Sequence, residues 1–550
     1  MIQDFTNQTK NLIDELKKVC ADFGLGNDGN ESKIITQTFL YKFMNDKLGY
    51  ELKKIDKRFT PDKSWEKVLA DISDEEFKKL SKRLPVNTAR LNRDQTLSYL
   101  FQQQGKGGFA SLFDKTLVGI SNQNAEIFSV STASKAKITL FDPLSQFITD
   151  PSEKDNFAKA IINKLINFSF ESIFDQKFDF FSTIFEYLIK DYNKDGGGKY
   201  AEYYTPHAVS KIMAKILVDK PVKNVTVYDP SAGSGTLLMN VAHEIGEKNC
   251  SIYSQDISQK SSGMLRLNLI LNDLVHSIPN VIQGNTLLAP AHKEKNGLKK
   301  FDYIVSNPPF KLDFSDFRDD LESPDNKDRF FAGIPKIPSK KKDSMAIFLL
   351  FIQHIIFSLS SKGKAAIVVP TGFLTAQDSI SERIRMKLIH ENVLAGVVSM
   401  PSNIFATTGT SVSILILDKE KSDDTFILID ASGLGTTVKE GKNQKTLLSH
   451  AEEEEIIDSF SKKKVSTHFS IAVNSNEMAI KNYSFNPGHY FGIEIRKSNL
   501  SKDMFDKEYT AVAKKLNDAF LESRQIEKQL TTHLSKLRLS QDKADRTENE

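Results

Sequence analysis

Asp229-Pro230-Ser231-Ala232-Gly233-Ser234-Gly235-Thr236 joins two apolar segments of opposite periodicity and decides the fold class. Before it, residues 225–228 (Val-Thr-Val-Tyr) are β-branched and aromatic, as strands are. After it, residues 236–245 space their apolar side chains by three and four, as a helix does. A strand that ends on a carboxylate and passes through two glycines into a helix offers close backbone approach, free N–H groups and a helix amino terminus. The alternation continues outward. Strand-like segments are expected at 251–255, 280–283, 303–306, 365–369, 393–399 and 411–417, and helical ones at 259–274, 344–359 and 379–390. The pattern predicts an α/β fold: a doubly wound, Rossmann-like sheet closed by an antiparallel pair.

Upstream, residues 5–23, 32–48, 74–84, 94–103, 153–168 and 178–191 carry helical spacing, and Asn193-Lys194-Asp195-Gly196-Gly197-Gly198 then breaks it with turn formers. Downstream, residues 507–539 are helical again, with Val512, Leu516, Ala519, Ile526, Leu530 and Leu537 along a heptad seam interrupted by Ser523 and His533. Three regions are therefore expected: a helical one over 1–192, a catalytic sheet over 193–480 and a helical tail for subunit assembly over 481–550. Residues 312–342 form a charged, proline-bearing insertion that ends in Lys340-Lys341-Lys342. A long irregular segment beside a catalytic strand suits function better than packing.

The 74 basic and 71 acidic residues leave a formal charge of +3, so the chain lacks the bias of a protein that grips nucleic acid unaided. Its tail is balanced too, which suits a partner helix better than a nucleic acid. Cys20 and Cys250 are the only cysteines, which excludes a disulfide framework and a multi-cysteine metal site; no metal is expected. The amino terminus lacks a signal-peptide pattern, and the most apolar run, 345–359, is too short to span a bilayer and carries Gln353 and His354. A cytoplasmic protein with no membrane association is the expectation.

The chemistry concentrates in Ser306-Asn307-Pro308-Pro309-Phe310, at the carboxyl end of an apolar strand, where open α/β sheets bind ligands. The Asn307 carboxamide oxygen can accept a hydrogen bond from a planar exocyclic NH2, and the Pro308 carbonyl, its direction restricted by Pro309, can accept a second. Two acceptors draw such a nitrogen toward tetrahedral geometry and free its lone pair to attack a methyl sulfonium. Phe310 offers a face for stacking the ring, worth about 1–3 kcal/mol per base. Asp256 closes the next strand about twenty residues beyond Gly235, where a carboxylate accepts from ribose hydroxyls. As an alternative it caps the helix that follows. No basic residue flanks residues 233–236, which suits a phosphate-free adenosyl sulfonium better than a dinucleotide. Glu202-Tyr203-Tyr204-Thr205-Pro206-His207 precedes a short helix, with Thr205 placed to cap it and Pro206 at its first position.

The order Tyr204-Thr205-Pro206, Asp229 to Gly235, Gln255-Asp256, Arg266-Leu267-Asn268-Leu269, Gly284-Asn285-Thr286-Leu287 and Asn307 to Phe310 resembles the modification subunits of type I restriction-modification systems. The resemblance runs over about residues 5–490. It implies an adenine-specific DNA methyltransferase that uses S-adenosyl-L-methionine, with a helical amino-terminal domain and a helical carboxy-terminal tail. It also implies assembly on double-stranded DNA with a second modification subunit, a specificity subunit that reads the sequence, and optionally a restriction subunit. Carried over, Glu202, Tyr203, Tyr204, Thr205, Pro206, His207, Asp229, Ser231, Ala232 and Gly233 would contact the cofactor, Asp256 its ribose, and Asn307, Pro308, Pro309 and Phe310 the flipped adenine. Glu202 and His207 stand where many relatives carry Gln and Arg, and Asn285 where an acidic residue often lies near the cofactor's adenine ring. A stand-alone adenine methyltransferase of another phage-defence system and a protein glutamine methyltransferase remain as alternatives, beside a type II fusion and a silent scaffold subunit.

Overall fold

Among the described residues fifteen strands form, eleven of them in one mixed sheet. In chain order they are β1 (Val130–Thr132), β2 (Lys137–Ile138), β3 (Val225–Asp229), β4 (Cys250–Asp256), β5 (Val281–Gln283), β6 (Lys293–Glu294), β7 (Gly297–Leu298), β8 (Phe301–Ser306), β9 (Leu359–Pro370), β10 (Leu394–Ser399), β11 (Val412–Asp418), β12 (Phe426–Asp430), β13 (Thr436–Glu440), β14 (Asn443–Leu447) and β15 (Ser470–Val473). The large sheet has the order β15-β12-β10-β11-β9-β8-β3-β4-β5-β1-β2; β6–β7 and β13–β14 are separate hairpins. The computed structural model describes residues 2–26, 29–60, 64–174, 205–295, 297–405, 411–440, 443–492 and 501–544. The expected helix 178–191, the glycine-rich joint and Glu202-Tyr203-Tyr204 lie outside the described residues. The chain divides into two units, residues 1–491 and 492–550.

Strands β1, β5, β4, β3, β8 and β9 pair in parallel. Alternate side chains divide between the two faces, as a period of two requires. Val227, Tyr303, Val305, Ala366 and Val368 share a core with the helices His207–Leu217 and Thr236–Ile245. Tyr228, Ile304, Ala365, Ile367 and Val369 share the other with the helices Phe348–Ser358 and Ser379–His390. Both faces are covered, which is why these strands read as continuous apolar runs. The expected antiparallel pair is present, β11 running against both β9 and β10. Beyond it the sheet continues through β12 and β15, whose shortness conceals them in the sequence.

The amino-terminal region is helical over Ile2–Asp22, Glu31–Ile55, Asp74–Arg83 and Lys154–Ile166, as its spacing predicts. The helix expected at 94–103 is interrupted: a single turn at Arg93–Gln95 precedes Leu97–Gln103, because Thr96 caps the latter, accepting from the Tyr99 N–H. A further helix, Phe109–Gln123, starts behind Gly105-Lys106-Gly107-Gly108, a stretch that reads as a turn; Gly108, at φ 74°, is its N-cap. This region also supplies β1 and β2, so it reaches into the sheet beside β5. The helix His207–Leu217 is tied to the helix His450–Ser461 by Lys211–Glu453 and Lys215–Glu454 ion pairs, both at 2.7 Å.

The insertion is less irregular than its composition suggests. Phe314, Leu321, Phe330 and Ile334 pack with Leu287, Met345, Ile347, Leu350 and Phe351 into a core of their own. In the second unit one helix runs over Lys502–Ala544, longer at both ends than the spacing predicts. Val512, Leu516, Ile526 and Leu530 of the expected seam are exposed along it, with Phe505, Tyr509 and Phe520.

Gly235 shows why the turn after β3 needs glycine. Its φ is +84°, and a Cβ there would stand 2.2 Å from Leu265 Cδ1. Gly235→Ala should therefore lower unfolding stability by at least about 1 kcal/mol, through strain and overlap together. Urea denaturation checks this; an unchanged midpoint would mean that the helix Gln259–Leu271 yields without cost.

Candidate active site

The loops that leave the carboxyl ends of β3, β4, β5 and β8 meet in one cleft, because these strands are parallel neighbours. Side-chain bonds fix the loops to one another. The Ser231 and Ser306 hydroxyls bond at 2.7 Å, Asp256 Oδ2 accepts from the Gly233 N–H at 2.9 Å, and the Thr286 hydroxyl donates to the Pro230 carbonyl at 2.7 Å. Gly233, at φ 52°, turns its N–H toward Asp256. The cleft wall contains Asp229, Ser231, Ala232, Gly233, Asp256, Asn285, Asn307, Pro309 and Thr205. Pro206, His207, Pro308 and Phe310 stand outside it.

Thr205 does not cap the helix His207–Leu217; Pro206 occupies that position, one residue later than expected. The buried Thr205 hydroxyl instead accepts from Asn307 Nδ2 at 3.2 Å. The amide nitrogen is thereby engaged and Oδ1 accepts no hydrogen bond among the described residues. This bond assigns the amide's orientation, which the sequence leaves open, to a residue 102 positions away. Phe310 is partly buried, packed against both cores, with its ring centroid 6.4 Å from that of Phe348 and edge-on to it.

Asp256 is not the helix cap: Ser258 takes that place, accepting from the Ser261 N–H, and Asp256 Oδ1 accepts from the Ser258 N–H at 2.8 Å. Asn285 Oδ1 accepts from the N–H groups of Leu287 and Leu288, at 3.0 and 3.1 Å, so its amide presents NH2. Donor character of that kind complements a ring nitrogen better than an exocyclic amine. Six apolar residues that motif reading passes over also line the wall: Leu237, Ile257, Leu312, Phe317, Ile347 and Phe351. Ile257 is 62% exposed beside the buried Asp256, and its place directly after that strand-ending carboxylate is the one feature of the sequence near it.

Two buried carboxyls, Asp229 and Asp256, stand in the cleft wall, and burial favours the protonated form of each. Burial pushes Asp229 up to about 8; the Ser231 N–H favours its charged form, and the charge of Asp256 adds to the rise. Burial raises Asp256 as well, opposed by the N–H groups of Ser258 and Gly233. Among the described residues no lysine or arginine lines the cleft, and no group of three or more His, Cys, Asp or Glu is placed to hold a metal ion.

The sequence pattern of N-6 DNA methylases matches residues 176–498, more than half of the chain. The chain belongs to the N-6 DNA methylase family. Among curated members, the methylase subunit of the type I restriction enzyme MpnII from Mycoplasma pneumoniae is 29% identical over 373 residues, which are 66% of this chain and 66% of that one. The methylase subunit of the type I restriction enzyme MjaIX from Methanocaldococcus jannaschii is 26% identical over 375 residues, 65% of this chain and 63% of that one. The matches thus span slightly less than two thirds of these relatives. The crystal structure of the type I restriction-modification methyltransferase subunit from Streptococcus thermophilus has the same fold, with a TM-score of 0.70 at 21% identity, over 90% of this chain and 100% of that one. The α/β class expected from the alternation, with its helical amino-terminal region, is borne out, and so is the resemblance carried by the motif order.

A carboxyl raised by burial makes this family member's stability fall as pH rises. The folded chain keeps the Asp229 proton up to about pH 8, whereas the unfolded chain loses it near about pH 4. Between those values the folded state alone is protonated, so each added pH unit favours unfolding. Asp229→Asn should flatten that decline. Thermal melts from acid to pH 8 check it, and parallel curves for the two proteins would contradict the assignment.

Proposed function

We propose that this chain transfers a methyl group from S-adenosyl-L-methionine to the N6 amino group of adenine in DNA, as the modification subunit of a type I restriction-modification system. The observation that carries the proposal is the Asn307 amide, held by Thr205 with its oxygen uncommitted, in a cleft beside the glycine turn. A wall with two carboxyls and no lysine or arginine fits a cationic adenosyl sulfonium, whose charge favours the ionised form of both carboxyls, and disfavours a phosphate-bearing cofactor. When bound, S-adenosyl-L-methionine supplies an electrophilic methyl group on a cationic sulfur. Asp256, with lone pairs left after its two backbone bonds, accepts from ribose hydroxyls. Ile257 lies against an adenine face, and the Asn285 NH2 group donates to a ring nitrogen. Of the segment Glu202 to His207, which the family resemblance assigns to the cofactor, Thr205 lines the cleft. Asp229 and the turn Ser231 to Gly233 line the sulfonium side.

The target base leaves the duplex to enter the cleft, since its amino group is paired inside the helix. Asn307 Oδ1 and the Pro308 carbonyl accept its two N–H groups, which holds the nitrogen lone pair out of conjugation. Pro309 stiffens that turn. Phe310 stacks on the ring. Membership of the N-6 DNA methylase family and the curated type I relatives favour adenine in DNA over a protein amide as substrate. The family likeness also supports assembly of two such chains with one specificity subunit on double-stranded DNA, with a restriction subunit as an optional addition, in the cytoplasm. Among the described residues no helix is long and apolar enough to cross a membrane.

Asn307→Ala should lower transfer by at least about a hundredfold, the loss of one oriented polar partner in a transition state, and leave S-adenosyl-L-methionine affinity within about twofold. Mass spectrometry of methylated duplex and calorimetry read the two quantities, and a parallel loss of both would assign Asn307 to the cofactor instead. Removal of residues 502–550 should leave cofactor affinity unchanged and abolish assembly with the specificity subunit, because the apolar seam on the helix Lys502–Ala544 needs a cover. Size-exclusion chromatography with the specificity subunit decides it; intact assembly of the shortened chain would contradict the role.

A further inference from the structure

Arg329 lies in the insertion, 2% exposed, and does not line the cleft. A buried guanidinium ordinarily keeps a carboxylate and several acceptors to offset its lost hydration. This one does not. Nη2 donates to the Leu287 carbonyl, whereas Nε and Nη1 have no hydrogen-bond partner among the described residues. The guanidinium carbon stands 4.3 Å from the centroid of the Phe330 ring. Burial, and then the charge of Arg329 itself, push the nearby His354 imidazole down to about 3, and burial raises the Tyr228 phenol, so both stay neutral and neither balances the cation. Packing alone would favour an apolar side chain here. The hydrogen bond to Leu287 is what the guanidinium adds.

That bond falls on a peptide unit that is gripped a second time. The Leu287 carbonyl and the Leu288 N–H share one plane; the first accepts from Arg329, and the second donates to Asn285 Oδ1 at 3.1 Å. The Leu287 N–H donates to the same oxygen at 3.0 Å. A cationic donor on the carbonyl polarises the peptide and strengthens the N–H at its other end. Asn285 stands in the cleft wall, so a residue outside the cleft fixes which end of an amide inside it is free. Arg329 has a firm seat of its own. Just downstream of it, Gln353 on the helix Phe348–Ser358 accepts from the Ala332 N–H at 2.8 Å and donates to the Gly333 carbonyl at 3.0 Å.

We propose that Arg329 is a positioning residue for the cofactor's base: through the Leu287–Leu288 peptide it holds the Asn285 amide with its NH2 toward the ring, and so sets the selectivity for adenine. The inference deepens the function proposed above and rests on its placing of adenine against Asn285. Without Arg329 the peptide loses one of its two anchors, and Asn285 is free to turn its oxygen to the ring. An acceptor there no longer complements a ring nitrogen.

Calorimetry on the full chain compares S-adenosylhomocysteine with deaza analogues in which one ring nitrogen of the adenine at a time is replaced by C–H. The wild-type chain should bind one analogue at least about fivefold more weakly than the parent, the loss of a single hydrogen bond, and Asn285→Ala should bind those two within about twofold of each other. Arg329→Met, apolar and similar in length, should fold and show the same near-equality, although Asn285 is intact. Arg329→Lys keeps a charged donor and should retain most of the wild-type ratio. A packing role alone would move all the affinities together and leave their ratio unchanged. The wild-type ratio in Arg329→Met, or its loss in Arg329→Lys, would overturn the positioning role, and the Lys variant decides the matter if the Met variant does not fold. A wild-type chain that binds parent and analogues alike, or an Asn285→Ala variant that still distinguishes them, would instead overturn the placing of adenine against Asn285, and the role of Arg329 with it.

Discussion

The hydrogen bond from the Gly233 N–H to Asp256 Oδ2 is the constraint on which the rest of the cleft depends. It joins the loop after β3 to the end of β4, and the second oxygen of the same carboxylate starts the next helix by accepting from Ser258. Thr286 and Ser306 then tie the loops after β5 and β8 to the same turn. Four separate strand ends behave as one rigid rim. A ligand meeting that rim needs to order little backbone, which keeps the entropy cost of binding low.

Much of this was legible in the sequence because the parallel strands are buried on both faces and therefore advertise themselves as apolar runs. The glycine turn, Asp256 and Asn307 follow from their places at strand ends. Thr205 was legible as a helix start and not as a partner of Asn307, since a contact across 102 residues leaves no local pattern. Ile257, Phe317 and Phe351 were hidden for another reason: apolar residues that line a cleft look like those that fill a core. Strands β12 and β15 escaped because four or five residues between polar segments carry too short a period to register.

The insertion shows how composition misleads. Its lysines and prolines suggest a loose loop, yet four of its apolar residues close a small core around Leu287 and Phe351. Leu287 and Phe351 also face the cleft. Leu312 and Phe317 of the insertion line the cleft directly, so movement of the insertion alters the shape of the cleft wall.

The bond between Thr205 and Asn307 reaches further than its own two residues. Thr205 precedes the helix His207–Leu217, which is held in turn to the helix His450–Ser461 through Lys211–Glu453 and Lys215–Glu454. Orientation of the amide therefore draws on segments separated by some 250 positions in the chain. A polypeptide still being synthesised, and not yet past residue 461, already contains every residue of the cleft but lacks the brace behind it. Competence arrives late, when the emerging chain has delivered its own clamp, and a prematurely terminated product keeps the motif without the means to aim it.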